Sequence, residues 1–595
     1  MGDFLIVHPA RGDAAASRRA EDLADEARTH GWRIEPLKAR TWLGARGPTP
    51  PRPLVVGPWT LIGDVFDRRS PVLPVTAPGD PWAYERKMMA RFWGRYVGVT
   101  FASDGQISGL LRDPSGALEC VTWAQDGLTL VASAAEDWLI RRLRPPWRIN
   151  VERLASALRD PVPATGPLLL DGPIALEPGT VQPLLPSRPA DILWRPTAFA
   201  RRSLERPPTI DRAARSLRDA IDEAVTGLAS LPGPLAAEVS GGLDSSLVAA
   251  SLARGGAGSV RLWINAHGPT PEADERTYVQ ALADALGFAP DFIPHPTGPL
   301  TPAGLQESSQ GFRPGLAALD RAHDLAWAAR IGAVGATAVF TGKGGDSILL
   351  QRATPDVFAD LWKARGWRAL LHTDVLELAA ANETSVWSMV AAARRHLRRG
   401  TVWPVRDHPL LTPIDSPSTV HPWLEDCEAF GPGKALQIAG VADSVSRHGP
   451  SMLTKTIDIR HPLCAQPVIE TCLALPTSVL TTGGRDRGLA RIAFRDRLPR
   501  QILDRRSKGD MTSIYGRMIL DNLPVLRSWL LDGRLAALGV IDRTVAEEHL
   551  THETLLWQGR YSTLFVAAAY EGWIRAWEDR LGPAARRLPA GRTPP

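Results

Sequence analysis

The stretch Ala237-Glu-Val-Ser-Gly-Gly-Leu-Asp-Ser-Ser246 sets two glycines, three hydroxyls and a carboxylate between two regular segments. Leu235 to Val239 reads as a short buried strand, and Leu243 to Ala253 as a helix with apolar residues on one face. A Gly-Gly turn at that junction points several backbone N–H groups and a helix N-terminus at one spot, which suits an anion. Asp244 would repel a phosphate there unless a cation stands between them, and Mg²⁺ bridging carboxylate and phosphate oxygens resolves the conflict. Ser240, Gly241, Gly242, Leu243, Ser245 and Ser246 are therefore expected to cradle the anion, with Asp244 on the metal. An ordinary Gly-Gly turn capped by a serine would explain a lone pair of glycines. It does not explain seven positions in the order Ser-Gly-Gly-Leu-Asp-Ser-Ser.

A second glycine-rich loop, Thr341-Gly-Lys-Gly-Gly-Asp-Ser347, follows another strand-like run, Ala336 to Phe340. If both strands lie in one sheet, Gly342, Lys343, Gly344, Gly345 and Asp346 reach the same phosphates from the other side. Asp244 and Asp346 would then give Mg²⁺ two carboxylates, enough when the phosphates supply further oxygens.

The elements that must hold these loops alternate. A helix is expected from Ile210 to Ala229, then the strand before Ser240, a strand from Ser259 to Asn265, a helix from Glu272 to Leu286 and the strand before Thr341. That order predicts a parallel, doubly wound sheet, with ligands beyond the carboxyl ends of its strands. Beyond Leu349 the pattern is mainly helical. Tryptophans recur there at Trp362, Trp367, Trp387, Trp403 and Trp423; most are expected in the core, a minority along a cleft.

The first loop is identical to the pyrophosphate loop of the asparagine-synthetase family of ATP pyrophosphatases. The resemblance implies an ATP site, extends the nucleotide contacts to Val239 and Leu262, and gives the second loop the same role in that family. Ser347, where those enzymes usually carry Glu, is usual in the lasso-peptide branch. Ile457-Asp-Ile-Arg-His-Pro-Leu-Cys-Ala-Gln-Pro-Val-Ile-Glu470 resembles the family's Glu-x-Arg-x-Pro segment with a shorter acid, and its extended form resembles lasso-peptide cyclases, as does Gly483-Gly-Arg-Asp-Arg487. Two readings of Asp458 stand side by side: a catalytic carboxylate that assists the attacking amine, or an ion-pair partner of Arg460 or another arginine. Ile502-Leu503, Arg505, Arg506, Ser507 and Lys508 resemble the loop bearing the family's catalytic lysine, with the Arg-to-Lys spacing changed by one residue.

Residues 1–208 read as an α+β domain that includes a proline-rich connection from Pro145 to Pro208. Phe4 to Val7, Arg95 to Phe101 and Gly127 to Ala132 are expected strands, and Ala14 to His30 an amphipathic helix. Arg112-Asp-Pro-Ser-Gly is a turn signal. This part resembles the glutamine-hydrolysing domain of asparagine synthetases but lacks the N-terminal cysteine nucleophile. Met1 is followed by Gly2, and the first cysteine is Cys120, so an inactive domain kept as scaffold or recognition surface is expected. Residues 209–581 are expected to form the synthetase domain, and 582–595 a disordered tail.

Composition adds boundaries. At 595 residues, 44% hydrophobic and 22% charged, the chain fits a soluble multidomain protein. It carries no signal-peptide pattern and no apolar run of membrane-span length. A formal charge of +5 without a basic tract gives no footprint for nucleic acid. Four unpaired-looking cysteines suggest neither zinc nor disulfides and fit the reducing cytoplasm. The resemblance implies an ATP- and Mg²⁺-dependent, AMP-forming ligase of the lasso-peptide cyclase kind. Its partners would be a precursor peptide and the leader peptidase or leader-recognition protein of the same pathway. A β-lactam synthetase acting on a small substrate, and a non-catalytic peptide-binding protein with a relict ATP site, are the alternatives.

Overall fold

The fold is that of a computed structural model, which describes all residues except 39, 72–76, 160–165, 257–259, 316–319, 352, 400–409, 413–420, 447, 507–508, 510–511, 559–560 and 583–595. Lys508, Trp403 and nearly all of the expected tail lie outside the described residues.

The N-terminal domain stacks two six-stranded sheets. One runs Ile174–Ala175, Val121–Gln125, Leu128–Ala132, Asp3–Pro9, Thr41–Arg46, Arg33–Lys38 in spatial order. The other runs Asp191–Ile192, Thr180–Pro183, Ile107–Arg112, Phe92–Phe101, Trp59–Asp67, Pro53–Val56. Period-2 alternation explains why the first sheet is covered on both faces. Phe4 and Ile6 point to the core between the sheets with Leu43, Val97, Val99 and Cys120. Leu5 and Val7 point to the opposite side, where Ala16, Ala20, Leu23 and Ala27 of the helix Ala14–Thr29 meet Trp573 and Trp577 near the C-terminus. The N-terminal domain and the C-terminal helices thus share one hydrophobic cluster.

The proline-rich stretch is not a simple connection. Strands Ile174–Ala175, Thr180–Pro183 and Asp191–Ile192 join the two sheets, and Leu193, Trp194 and Ala200 enter a core shared with the next domain. Prolines are tolerated because these strands are short and carry few ladder bonds.

In the second domain five strands form one parallel sheet: β1 (Leu235–Glu238), β2 (Val260–His267), β3 (Pro290–Pro294), β4 (Ala338–Phe340) and β5 (Asp458–Arg460). Their order is β3-β2-β1-β4-β5. The helices α1 (Ile210–Ala229), α2 (Leu243–Gly256), α3 (Arg276–Leu286) and α4 (Arg321–Ala333) alternate with them. The strand order reverses between β1 and β4, and a sheet of this kind opens its ligand crevice at that switch point. Both glycine-rich loops leave from it. β3 and β5 are additions to the sequence reading: β3 is bounded by prolines, and β5 is three residues long inside a helical region, too short for a periodic signal.

The tryptophan expectation fails in part. Trp423 is core, packed edge-on against Trp194 at 5.2 Å, whereas Trp367 and Trp387 are 65% and 72% exposed. No described tryptophan of that series lines either cavity of the site below. Among the described residues no helix is long and apolar enough to cross a membrane.

Candidate active site

The first loop is fastened to its own helix. The Ser240 N–H donates to Ser245 Oγ (3.1 Å), while the hydroxyls of Ser245 and Ser246 donate to the Gly242 carbonyl (3.2 and 2.8 Å). Asn265 Nδ2 donates to the Val239 carbonyl (2.8 Å), tying the loop to β2. Gly241 has φ +71°, and a Cβ there would stand 2.9 Å from Tyr278 Cβ. Glycine is therefore required both by conformation and by space.

The second loop presses against the first. A Cβ on Gly342 would lie 2.4 Å from the Ser245 nitrogen, and one on Gly345 would lie 2.3 Å from Asp244 Cγ. Gly344, at φ +92°, has Cys464 Sγ where its Cβ would be. The two loops close on each other because Gly342 and Gly345 carry no side chains that would part them. The Thr341 N–H donates to the Arg460 carbonyl (3.1 Å), which fixes the loop to β5.

Asp244 and Asp346 converge. One nitrogen, Nη1 of Arg487, lies 2.8 Å from Asp244 Oδ2 and 2.9 Å from Asp346 Oδ1. Two carboxylates meeting at one cationic nitrogen form a donor set that fits Mg²⁺, a hard cation that takes one or two carboxylates plus phosphate oxygens. Burial lowers the Arg487 guanidinium, and the two aspartates more than offset it, so the cation is retained. Arg487 is itself in the left-handed region, φ +49°, and its neighbour Asp486 pairs with Arg491 at 2.9 Å. Arg505 Nη1 donates to the Gly241 carbonyl (3.0 Å), pairs with Glu275 at 2.5 Å, and stacks 3.9 Å from the Tyr278 ring centre.

These groups enclose a cavity of about 250 Å³ lined by Ser240, Gly242, Asp244, Ser245, Gly342, Lys343, Asp346, Arg487, Arg491 and Arg505. Four cationic side chains around two glycine loops and two aspartates suit a metal-bound polyphosphate. Arg487, Arg491 and Arg505 were not singled out as site residues in the sequence. Arg487 and Arg505 fall in segments that carry the family resemblance, and Arg491 carried no signal beyond its place among arginines late in the chain. Val239 is buried behind the loop, and Leu262 packs into the core with Trp327 and Ile331; neither side chain lines the cavity. Lys508 lies outside the described residues, but the next residue, Gly509, donates its N–H to Glu275 Oε1 (3.2 Å), beside Arg505.

Asp458 is accounted for by ion pairing. It is 0% exposed, and Arg95 grips both its oxygens at 2.8 and 2.9 Å. Arg460 Nε adds a bond of 2.8 Å, Thr49 Oγ1 lies at 3.2 Å, and the Met1 amine also contacts it. Burial raises its carboxyl, yet Arg95, the amine and Arg460 outweigh that and hold it well below the usual carboxylate range. A carboxylate this fully occupied is a poor proton acceptor, and it lines neither cavity. The catalytic reading of Asp458 gives way to the ion-pair one: it locks the N-terminal domain to β5. Glu470 and Gln466 of the same segment are also interdomain ties, to Arg68, Trp194 and the Met89 carbonyl.

A second cavity, of about 1050 Å³, lies between the domains. Its walls include Arg46, Arg112 and Glu119 from the N-terminal domain, and Arg313, His448 and His461 from the other. The Arg112-Asp-Pro turn forms part of the wall, with Arg112 donating to the Gly116, Leu118 and Leu176 carbonyls (2.9, 2.7 and 2.7 Å). Glu238, Thr341 and Lys343 line both cavities, so the two meet at the carboxyl ends of β1 and β4.

No curated protein matches the chain. Residues 216–575, more than half of it, match the family model described as asparagine synthase. Members of that family are ATP-dependent amide ligases, typically with Mg²⁺. The matched span begins in α1, takes in both glycine loops and the arginine cluster, and ends in the helix Tyr561–Leu581; the chain belongs to the asparagine synthase family.

Proposed function

We propose that this chain closes a macrolactam in a ribosomal peptide, as lasso-peptide cyclases do. A side-chain carboxylate of the leader-free peptide attacks the α-phosphorus of ATP and pyrophosphate leaves. The peptide's own N-terminal amine then attacks the acyl-adenylate and AMP departs. The glycine loops and the arginines Arg487, Arg491 and Arg505 hold the phosphates and offset charge on the leaving pyrophosphate. Mg²⁺, held by Asp244 and Asp346, would neutralise charge on the phosphate oxygens. Lys508 follows charge to the acyl centre.

The observation that carries this reading is the chamber of about 1050 Å³ that adjoins the nucleotide cavity. Sites for small ligands occupy roughly 300–1,000 Å³. A single amino-acid derivative would leave most of this space empty, whereas a folded peptide would use it and would touch both domains. The N-terminal domain then acts as a wall of the substrate site. The expected partners are the precursor peptide and the peptidase that frees its N-terminus.

The test is mass spectrometry of the leader-free precursor peptide incubated with the protein and Mg²⁺-ATP. Loss of one water from the peptide, with one AMP formed per closure and resistance to carboxypeptidase, is expected. An unchanged peptide, together with cyclisation of a small β-amino acid, would overturn the reading in favour of a β-lactam synthetase.

A further inference from the structure

An amine that is protonated at neutral pH cannot attack an acyl-adenylate until it loses a proton, and Asp458 is not available to take it. The chamber offers other bases. His448 and His461 stack at 5.1 Å, and His461 Nδ1 is bound to Thr341 Oγ1 at 2.7 Å. Neither lines the nucleotide cavity. Among the described acids and histidines, Glu238 alone lines both cavities.

Its place follows from the strand. β1 ends at Glu238, and the register that pairs Ala237 with Phe340 sets Glu238 beside Thr341, at the head of the second loop. A strand end before a phosphate loop is a usual place for an apolar residue, as at Val239. Alternation sends Glu238 to the face of β1 that carries Ala236, against Trp327 and Ile331 of α4. The Glu238 side chain takes part in no described ion pair or hydrogen bond, and it is half-buried, where a charge gains from meeting a partner. We propose that Glu238 receives the substrate's N-terminal amine at the junction of the two cavities and takes its proton. This rests on the reading that the chamber holds the peptide.

The step balances. The ammonium passes one proton to a Glu238 carboxylate oxygen, and the freed lone pair forms the C–N bond. The acyl C–O bond breaks with its electron pair leaving on AMP, whose phosphate takes the second N–H proton. The surroundings favour a carboxylate that is ionised yet basic. Burial raises the Glu238 carboxyl, and His323 draws it part of the way back. The other titratable and charged groups around this corner are Asp320, which precedes α4, Asp324 of α4, Tyr515 from the helix Thr512–Asp521 and Lys343 from the second loop. Asp320 is likewise raised by burial and is bound by the Tyr515 hydroxyl. Asp320 and Asp324 add negative potential that attracts an ammonium.

The test uses the full chain with Mg²⁺-ATP and the leader-free precursor peptide, with hydroxylamine as an alternative nucleophile already neutral at pH 7. A positioned base contributes about 10²–10⁴-fold. Glu238→Gln is expected to slow peptide dehydration at pH 7 by about 10²-fold or more. It should leave peptide-dependent ATP–pyrophosphate exchange and hydroxamate formation near wild type, and should regain closure as pH rises past the amine's range of about 8. Glu238→Asp, which keeps a carboxylate, should be intermediate. Equal loss of exchange, hydroxamate and closure would overturn the proposal, as would full closure by Glu238→Gln at pH 7. A wild-type protein that never dehydrates the peptide would instead overturn the peptide reading itself.

Discussion

Replacing Asp458 by Asn separates an interdomain lock from a catalytic base. The carboxylate is fully buried, receives three arginine N–H bonds at 2.8–2.9 Å, and faces Arg95 and Arg460, themselves buried. Removing one member of a buried pair leaves the other charge uncompensated and costs about 3–5 kcal/mol. Arg95 keeps Asp64 at 2.5 Å, so the lower end, about 3 kcal/mol, is expected. Urea denaturation should show a lower midpoint with an unchanged slope. The sign with pH follows from the depressed carboxyl. Its stabilisation is fully present above the unfolded value of about 3.9 and is lost as pH falls through the lower folded value, so the gap between wild type and variant narrows only below about pH 4. In the variant that remains folded, closed peptide per AMP should match wild type. A normal urea midpoint with AMP formed but no ring closed would refute the lock and restore Asp458 as the base.

Asp244→Asn and Asp346→Asn should each reduce peptide-dependent pyrophosphate release on the order of 10²-fold or more while leaving the fold intact by circular dichroism; near-normal turnover in both would remove the metal assignment. Lys508→Ala is expected to bind ATP normally in calorimetry and to lose about 10²–10³ in product formation. Full activity there would shift the role to Lys343, which lines both cavities. Glutamine should release no glutamate above background, because Cys120, the lone cysteine of the N-terminal domain, is buried and its thiol is pushed up to about 12. Glutamate release above background, abolished by Cys120→Ser, would contradict this.

The two glycine-rich loops were legible because their parts are local. A strand, a glycine turn and a helix N-terminus lie within about a dozen consecutive residues, and the glycines needed at φ +71° and +92° are visible as letters. α1, expected from about Ile210 to Ala229, is found over that span. What escaped the sequence depends on distant pairing. Arg487 reaches Asp244 across 243 positions, and Arg95 reaches Asp458 across 363. No periodicity encodes such a contact, and in a chain this rich in arginine no single one stands out. Asp458 is the reverse case: its motif position allowed both a catalytic and an ion-pair reading, and the buried guanidinium groups that grip it favour the second. β5 and the strands of the proline-rich stretch were hidden because two to four residues carry too little alternation to read.

The central claim is that a peptide carboxylate is adenylated where the two glycine loops meet. Peptide labelled with ¹⁸O in the acceptor side-chain carboxyl, incubated with the protein and Mg²⁺-ATP, tests it most directly. The account predicts that one labelled oxygen passes to the phosphate of AMP, none to pyrophosphate, and that the transfer is lost in Asp244→Asn. Label in inorganic phosphate alongside ADP, or AMP formed without label, would contradict it.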